Sequence, residues 1–128
     1  MRAVDTNVVV RYLTGDQPEQ AARARDVFRA GQVFVSTTVL LESDWVLRSV
    51  YGFTAPEVAA ALRALAGLRG VTVENPVLLG QALDRTGRGM DFADALHLGA
   101  AARCESMLTF DQRFIRAAAD GPVSVREP

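Results

Sequence analysis

The sequence predicts an α/β fold in which helices cover a parallel sheet. Short runs of β-branched and other apolar residues alternate with helical patterns along all 128 residues. The connections are about two to five residues long, which is typical of strand–helix–strand units with parallel strands. No repeat, linker or low-complexity tract interrupts this alternation, so we expect one domain over residues 1–128.

The first half of the chain carries clear start and stop signals for its helices. Asp5 follows a short apolar run and has the chemistry of a helix cap, while Pro18 lies in a predicted first turn and Gly31 directly follows that helix. Ser36 precedes the next helical pattern. The predicted elements are a strand over Ala3–Val4, a helix over Val8–Leu13, a helix over Gln17–Ala30, a strand over Val33–Val35, a helix over Val39–Tyr51 and a helix over Ala55–Leu68.

The second half continues the alternation with shorter elements. Gly70 separates a helix from a strand, and the glycines of Gly87-Arg88-Gly89 close another helix. The predicted elements are a strand over Val71–Val73, a helix over Pro76–Thr86, an alanine-rich helix over Phe92–Arg103, a strand over Ser106–Phe110, a helix over Gln112–Ala119 and an edge strand over Val123–Val125.

Composition excludes several classes of function. All 14 basic residues are arginine, so mechanisms that need a Schiff-base or Walker lysine are excluded. The single cysteine, Cys104, excludes a disulfide scaffold and a four-thiolate zinc site, and it is expected to be a small core residue. No apolar run is long enough for a membrane span. Asp5 comes too early for a signal peptide, which favours the cytoplasm.

Two aspartates directly follow predicted strands. Asp5 follows the first strand and Asp111 follows the strand that ends at Phe110. In open α/β sheets, ligands bind beyond the carboxyl ends of the strands, so both side chains are candidates for one crevice. Each aspartate also has a purely structural interpretation as a helix N-cap.

Three further acids lie on predicted helices. Glu42 falls within the apolar stripe of Val39–Tyr51, where an ionised carboxylate is costly unless something pairs with it. A position that reaches water, or a pair with Arg48, is the alternative. Asp91 and Asp94 are three residues apart at a helix start, where the dipole favours negative charge. Asp91 has the position of an N-cap, and Asp94 lies among apolar neighbours.

Carboxylates that converge on one crevice repel each other unless a cation is present. Mg²⁺, Mn²⁺ and Ca²⁺ are the hard cations that accept oxygen ligands. The single histidine, His97, cannot form a zinc site alone, and we expect it to pack or cap a helix.

Four motifs in order resemble those of the PIN-domain nucleases, most closely the VapC-type toxins of bacterial toxin–antitoxin pairs. They span nearly the whole chain. The matching segments are Val4-Asp5-Thr6-Asn7, Val39-Leu40-Leu41-Glu42, Asp91-Phe92-Ala93-Asp94-Ala95-Leu96 and Leu108-Thr109-Phe110-Asp111-Gln112-Arg113-Phe114.

This resemblance implies a single PIN domain over residues 1–128, a three-layer α/β/α sandwich with a central, mostly parallel sheet of four or five short strands. It implies an endoribonuclease that uses Mg²⁺ or Mn²⁺, acts on RNA and is neutralised by a small VapB-like antitoxin. Asp5, Glu42, Asp94 and Asp111 match the family's metal-binding acidic quartet, and Asp91 matches a fifth acid. Direct metal ligation is expected of Asp5 and Asp94. The remaining pair, Glu42 and Asp111, would hold metal waters or a second ion.

The resemblance also implies supporting residues and a homodimer. Thr6 and Asn7 would orient the first motif, and Thr109 would support Asp111. Trp45 and Tyr51 are candidate interface residues, with core packing as the alternative, because wide apolar helix faces exceed what one small sheet covers. Without the five candidate acids, arginines outnumber acids by four, which suits a polyanion. The candidate RNA-contacting arginines are Arg11, Arg48, Arg88, Arg113 and Arg116.

Two other functions use similar residues. A catalytically silent PIN-like interaction module would share the fold without metal chemistry. Aspartate-based phosphoryl-transfer domains also place an aspartate after the first strand. They need a second acid beside it and a later lysine, whereas Thr6 and Asn7 follow Asp5 and lysine is absent.

Overall fold

The computed structural model describes all residues, 1–128, and consists of five strands and seven helices. No helix among them has the length and apolarity needed to cross a membrane. In chain order, the elements are β1 (Arg2–Ala3), α1 (Thr6–Thr14), α2 (Pro18–Ala30), β2 (Val33–Val35), α3 (Thr37–Ser49), α4 (Ala55–Ala66), β3 (Val71–Val73), α5 (Pro76–Gly87), α6 (Phe92–Ala100), β4 (Ser106–Leu108), α7 (Gln112–Ala117) and β5 (Ser124–Arg126).

The chain divides into two compact units, Met1–Pro76 and Val77–Pro128. The first unit contains a three-stranded sheet in the order β1-β2-β3 with both strand pairs parallel. Two helices connect β1 to β2 and two connect β2 to β3, so each connection is long enough for the crossover that parallel strands require.

The central strand of this sheet forms the core of the first unit. Val33 and Val35 of β2 are fully buried, as are Leu47 of α3 and Leu62 of α4. The backbone approaches itself closely beside this strand. Gly70 has φ +84°, and a Cβ built there would lie 2.9 Å from the Cα of Gly31, so only glycine fits.

The second unit contains the two-stranded parallel sheet β4–β5, with Met107 paired to Val125. Its core centres on α6, where Phe92 and Leu98 are buried, with Phe114 of α7 also buried. Every strand pair in the protein is parallel, and helices separate the paired strands, which confirms the predicted mixed α/β class. The five predicted strands are present as one ladder of three and one of two.

The predicted helices and strands all occur, with shifts of a few residues at their ends. The largest shift is at α6, which ends at Ala100 where Arg103 was predicted. Cys104 therefore lies in the turns before β4 and is exposed, so its predicted place in the core is wrong. Alanine-rich sequence favours a helix, but it does not show where the helix leaves the core.

Candidate active site

Asp5 and Glu42 line one cavity of about 360 Å³ in the first unit. Asp5 lies between β1 and α1, and its Oδ1 accepts a 2.7 Å hydrogen bond from the backbone N–H of Thr6. Asp5 is thus the N-cap of α1, as its alternative interpretation predicted, and its side chain remains exposed. Thr6 and Asn7 also line the cavity. The first and second sequence motifs therefore meet in one place.

Glu42 is exposed, so the prediction that it lies on the buried stripe of its helix is wrong. The buried face of α3 instead carries Leu40, Ser43, Asp44 and Leu47. Helix α3 begins at Thr37, two residues before the predicted start, and it is rotated so that Ser43 and Asp44, directly after Glu42, face the core. An exposed carboxylate in the cavity needs no buried partner.

Asp44 is the acid that this rotation buries. It is 2% exposed and accepts two hydrogen bonds, of 3.0 and 2.9 Å, from Nε and Nη2 of Arg48. This paired geometry satisfies both carboxylate oxygens. Arg48, a candidate for RNA contact, therefore serves an internal ion pair, which explains how α3 tolerates a buried charge.

A polar network that the sequence did not reveal borders the same cavity. Nη1 of Arg11 donates to the Tyr51 hydroxyl at 3.0 Å, and that hydroxyl donates to Asp16 at 2.7 Å. The bond from Tyr51 lowers the pKa of Asp16, and the same bond raises the pKa of Tyr51. Nε of Arg11 also donates to Gln20. Arg11 lines the cavity together with Asp5 and Glu42. The network joins residues that are too distant in sequence for any local pattern to indicate.

Asp94 belongs to a cluster of carboxylates in the second unit. Asp94 lies in the first turn of α6 and is half-buried. Asp91 caps this helix, because its Oδ2 accepts a 3.4 Å hydrogen bond from the backbone N–H of Asp94. Burial raises the pKa of Asp94, and the charges of Asp91 and Asp111 raise it further, against smaller opposing effects of His97 and Arg113. Burial and the neighbouring carboxylates therefore favour the protonated form of Asp94.

Asp111 is held rigidly at the start of α7. Its Oδ1 accepts from the backbone N–H groups of Arg113 and Phe114 at 2.9 and 3.2 Å. The Thr109 hydroxyl in turn accepts from the backbone N–H of Asp111 at 3.0 Å. The predicted support of Asp111 by Thr109 thus has a direct contact behind it.

The candidate metal ligands of this protein are carboxylates that do not form a ready-made cage for an ion. Nowhere in the chain do three acidic, histidine or cysteine side chains form a group that could hold a metal ion. Mg²⁺ usually takes only one or two protein carboxylates, and the acids present offer the hard oxygen ligands that it prefers. The repulsion around Asp94 is what a bound cation would relieve.

The protein is thus of the α/β class, and its candidate carboxylates lie after parallel strands and at the starts of helices. Residues 2–120 match the PIN domain family, so the chain belongs to that family and has its α/β/α fold. PIN domains are in general nucleases and typically use divalent metal ions. Among curated proteins, none matches the chain significantly.

Proposed function

We propose that the protein is a Mg²⁺- or Mn²⁺-dependent endoribonuclease of the VapC toxin type. The observation that carries this proposal is the cavity that Asp5 and Glu42 line together in a chain of the PIN family. The raised pKa of Asp94 supports it. Since the family match runs from residue 2 to residue 120, we also propose that residues 1–128 form a single PIN domain.

Asp5 and Asp94 would ligate the ion directly, and Glu42 and Asp111 would orient its waters. When bound, the ion supplies Lewis-acid stabilisation of the scissile phosphate and acidifies the attacking water. Water adds to phosphorus, the P–O3′ bond breaks and the 3′ oxygen takes a proton, which leaves a 5′-phosphate and a 3′-hydroxyl. The hydrogen bonds from Arg113 and Phe114 keep one Asp111 oxygen fixed, so little reorganisation is needed during reaction.

Metal dependence is the first test of this function. Purified protein is expected to cleave single-stranded RNA in Mg²⁺ or Mn²⁺, to stop when EDTA is added and to recover with excess Mn²⁺. Gel analysis of labelled RNA would measure this, with Asp5→Asn protein prepared in parallel to detect contaminating nuclease. Cleavage that persists in EDTA would reject metal catalysis, and absence of cleavage with every metal would favour a silent interaction module.

The proposed toxin has a protein partner whose basic tail enters the acidic cavity. An arginine suits this role because its guanidinium forms a fork of hydrogen bonds to carboxylates, and Asp5 and Glu42 are both exposed there. We expect a lower Mn²⁺ affinity in the toxin–antitoxin complex than in free toxin, measured by calorimetric titration. Neutralising the tail's basic residue should restore cleavage before it abolishes binding. Equal Mn²⁺ affinity in both forms would indicate that the antitoxin blocks RNA elsewhere.

The proposed homodimer uses the exposed side of α3. Trp45 is 61% exposed, and tryptophan is enriched at interfaces because its large ring buries much apolar area. Light scattering at micromolar concentration is expected to show a dimer for the wild type and a monomer for Trp45→Arg. Tyr51 is half-buried and bonded to Asp16, so Tyr51→Phe is the control that should remain dimeric. A monomeric wild type would contradict the proposal.

A further inference from the structure

The second unit contains a cavity of about 400 Å³ that is separate in its lining from the acids described above. This volume is within the range of small-ligand sites. The lining comes from the end of α5 and the loop after it, from α6, and from the last residue of α7 with the segment that follows it. The lining residues are Arg85, Arg88, Gly89, Met90, Leu98, Ala117, Ala118, Asp120, Gly121 and Pro122.

Two arginines in this lining have no acidic partner. Neither Arg85 nor Arg88 takes part in the ion pairs that Arg11, Arg29 and Arg48 form. Both arginines line the cavity, where Arg85 is half-buried and Arg88 is exposed. Guanidinium groups form strong charge-assisted hydrogen bonds with oxyanions. The cavity therefore has a cationic lining that suits an oxyanion.

The backbone holds the two arginines in a fixed relation. The carbonyl oxygen of Arg85 accepts from the N–H groups of Arg88 and Met90 at 3.0 and 3.1 Å, so the loop folds back on the last turn of α5. Gly89 has φ +104°, a conformation that L side chains rarely adopt. The main chain thus brings the backbone of Arg88 close to that of Arg85, and both residues line the cavity, with the Arg88 side chain exposed.

The charge of the lining selects among oxyanions. Asp120 faces the same cavity, so the two arginines and this aspartate leave one net positive charge. A phosphodiester carries one negative charge and fits this balance, whereas a terminal phosphate is close to a dianion at neutral pH. The loop that carries Arg88 leads directly to Asp91, the N-cap of α6. A nucleic-acid strand is therefore a fitting source of the anion.

We propose that this cavity binds a phosphodiester of the RNA strand away from the bond that is cut. The inference rests on the proposed function, since it takes RNA as the substrate. Guanidinium groups from Arg85 and Arg88 hold the phosphate oxygens through charge-assisted hydrogen bonds. The contact reads the backbone and positions the strand, so it does not depend on base sequence.

Binding in EDTA tests this site apart from catalysis. Fluorescence anisotropy of a short labelled single-stranded RNA is followed from 50 to 200 mM salt, a range in which backbone contacts weaken strongly. The Arg85→Gln/Arg88→Gln double variant is expected to bind more weakly, with a slope of log affinity against log salt that is shallower by about 0.7, the value for one single-strand phosphate. Arg25→Gln, which removes an exposed arginine of α2, is the matched control and should keep the wild-type slope.

Two exposed positions keep the test decisive if the double variant does not fold. Arg88→Gln should weaken binding, and Asp120→Asn should tighten it because it removes the opposing charge. Glu105→Gln, another exposed acid of the same unit, should leave the affinity unchanged. Wild-type affinity in both Arg88→Gln and Asp120→Asn would overturn the proposal, as would a wild type that binds no RNA.

A second arm asks whether the anion is a free phosphate. Thermal melts with inorganic phosphate or adenosine monophosphate, at constant ionic strength, are expected to show no stabilisation that depends on Arg88. If either compound raises the melting temperature of the wild type but not of Arg88→Gln protein, the ligand of this cavity is a free phosphate or phosphate monoester and not a phosphodiester. Metal-dependent cleavage combined with unchanged salt slopes would overturn the phosphodiester site and support the nuclease function. A change of slope without any cleavage would overturn the nuclease function and support RNA binding at this site.

Discussion

Asp5→Asn protein is expected to fold normally and to lose RNA cleavage by at least about 100-fold, since even residues that only support a metal ligand cost 10- to 100-fold. Asparagine is an N-cap as good as aspartate, so its side-chain oxygen can still accept from the Thr6 N–H. The substitution therefore removes the charge and keeps the cap. Asp94→Asn is expected to lose as much activity. Helix α6 is capped by Asp91, so the substitution of Asp94 leaves the cap in place.

The measurement is the cleavage rate of labelled RNA at saturating Mn²⁺, with circular dichroism to verify the fold. Glu19→Gln is the matched control, because Glu19 is an exposed acid in the first turn of α2 and lies in neither acidic site. It should cleave at the wild-type rate. A wild-type rate in Asp5→Asn protein would show that the cap is the whole role of Asp5.

Local sequence signals predicted the elements well where residue chemistry marks both ends of an element. Ser36 and Thr54 cap α3 and α4 through their side chains, as their residue types favour. The error at α6 has a different origin. Alanine continues a helical pattern past Ala100, and only the tertiary environment determines that the chain turns there. Because the helix end was placed too late, Cys104 was predicted to be in the core, whereas it is exposed.

The sequence predicted those site residues whose place follows directly from their position after a strand or before a helix. Asp5 and Asp111 both follow strands and both cap helices, so the two interpretations of each residue describe the same geometry. The rotation of α3 was not predictable from periodicity alone, because Asp44 is a charged residue and yet faces the core. Asp44 is tolerated there only through Arg48, one turn later.

Contacts between distant segments gave no sequence signal. Tyr51 bonds to Asp16, which is 35 residues away. Arg11 likewise donates to the hydroxyl of Tyr51, which is 40 residues away. Such contacts depend on how the fold brings distant segments together, and neither hydrophobic periodicity nor motif spacing in the sequence indicates that.

In metal-free buffer near neutral pH, Asp94→Asn protein is expected to melt at a higher temperature than the wild type. Burial, with the charges of Asp91 and Asp111, raises the pKa of Asp94 in the folded protein above its usual value of 3.8. Between 3.8 and the raised pKa, the folded state binds more protons than the unfolded chain. Wild-type stability therefore falls as the pH rises through this window and stays reduced above it. Asparagine does not titrate, so the difference between the two proteins should close as the pH is lowered through the window.

Saturating Mn²⁺ is expected to reverse this order. An ion that binds only the folded state stabilises it by an amount that grows with the logarithm of one plus the ratio of ion concentration to dissociation constant. The wild type has the ligand charge that Asp94→Asn lacks. The metal-induced rise in melting temperature should therefore be larger for the wild type. Glu105→Gln, an exposed acid of the same unit, should follow the wild type in both buffers. Equal gains from Mn²⁺ in wild type and variant would contradict metal ligation by Asp94. A variant that melts below the wild type in EDTA would instead show that the charge of Asp94 stabilises the fold, because the raised pKa requires the opposite sign.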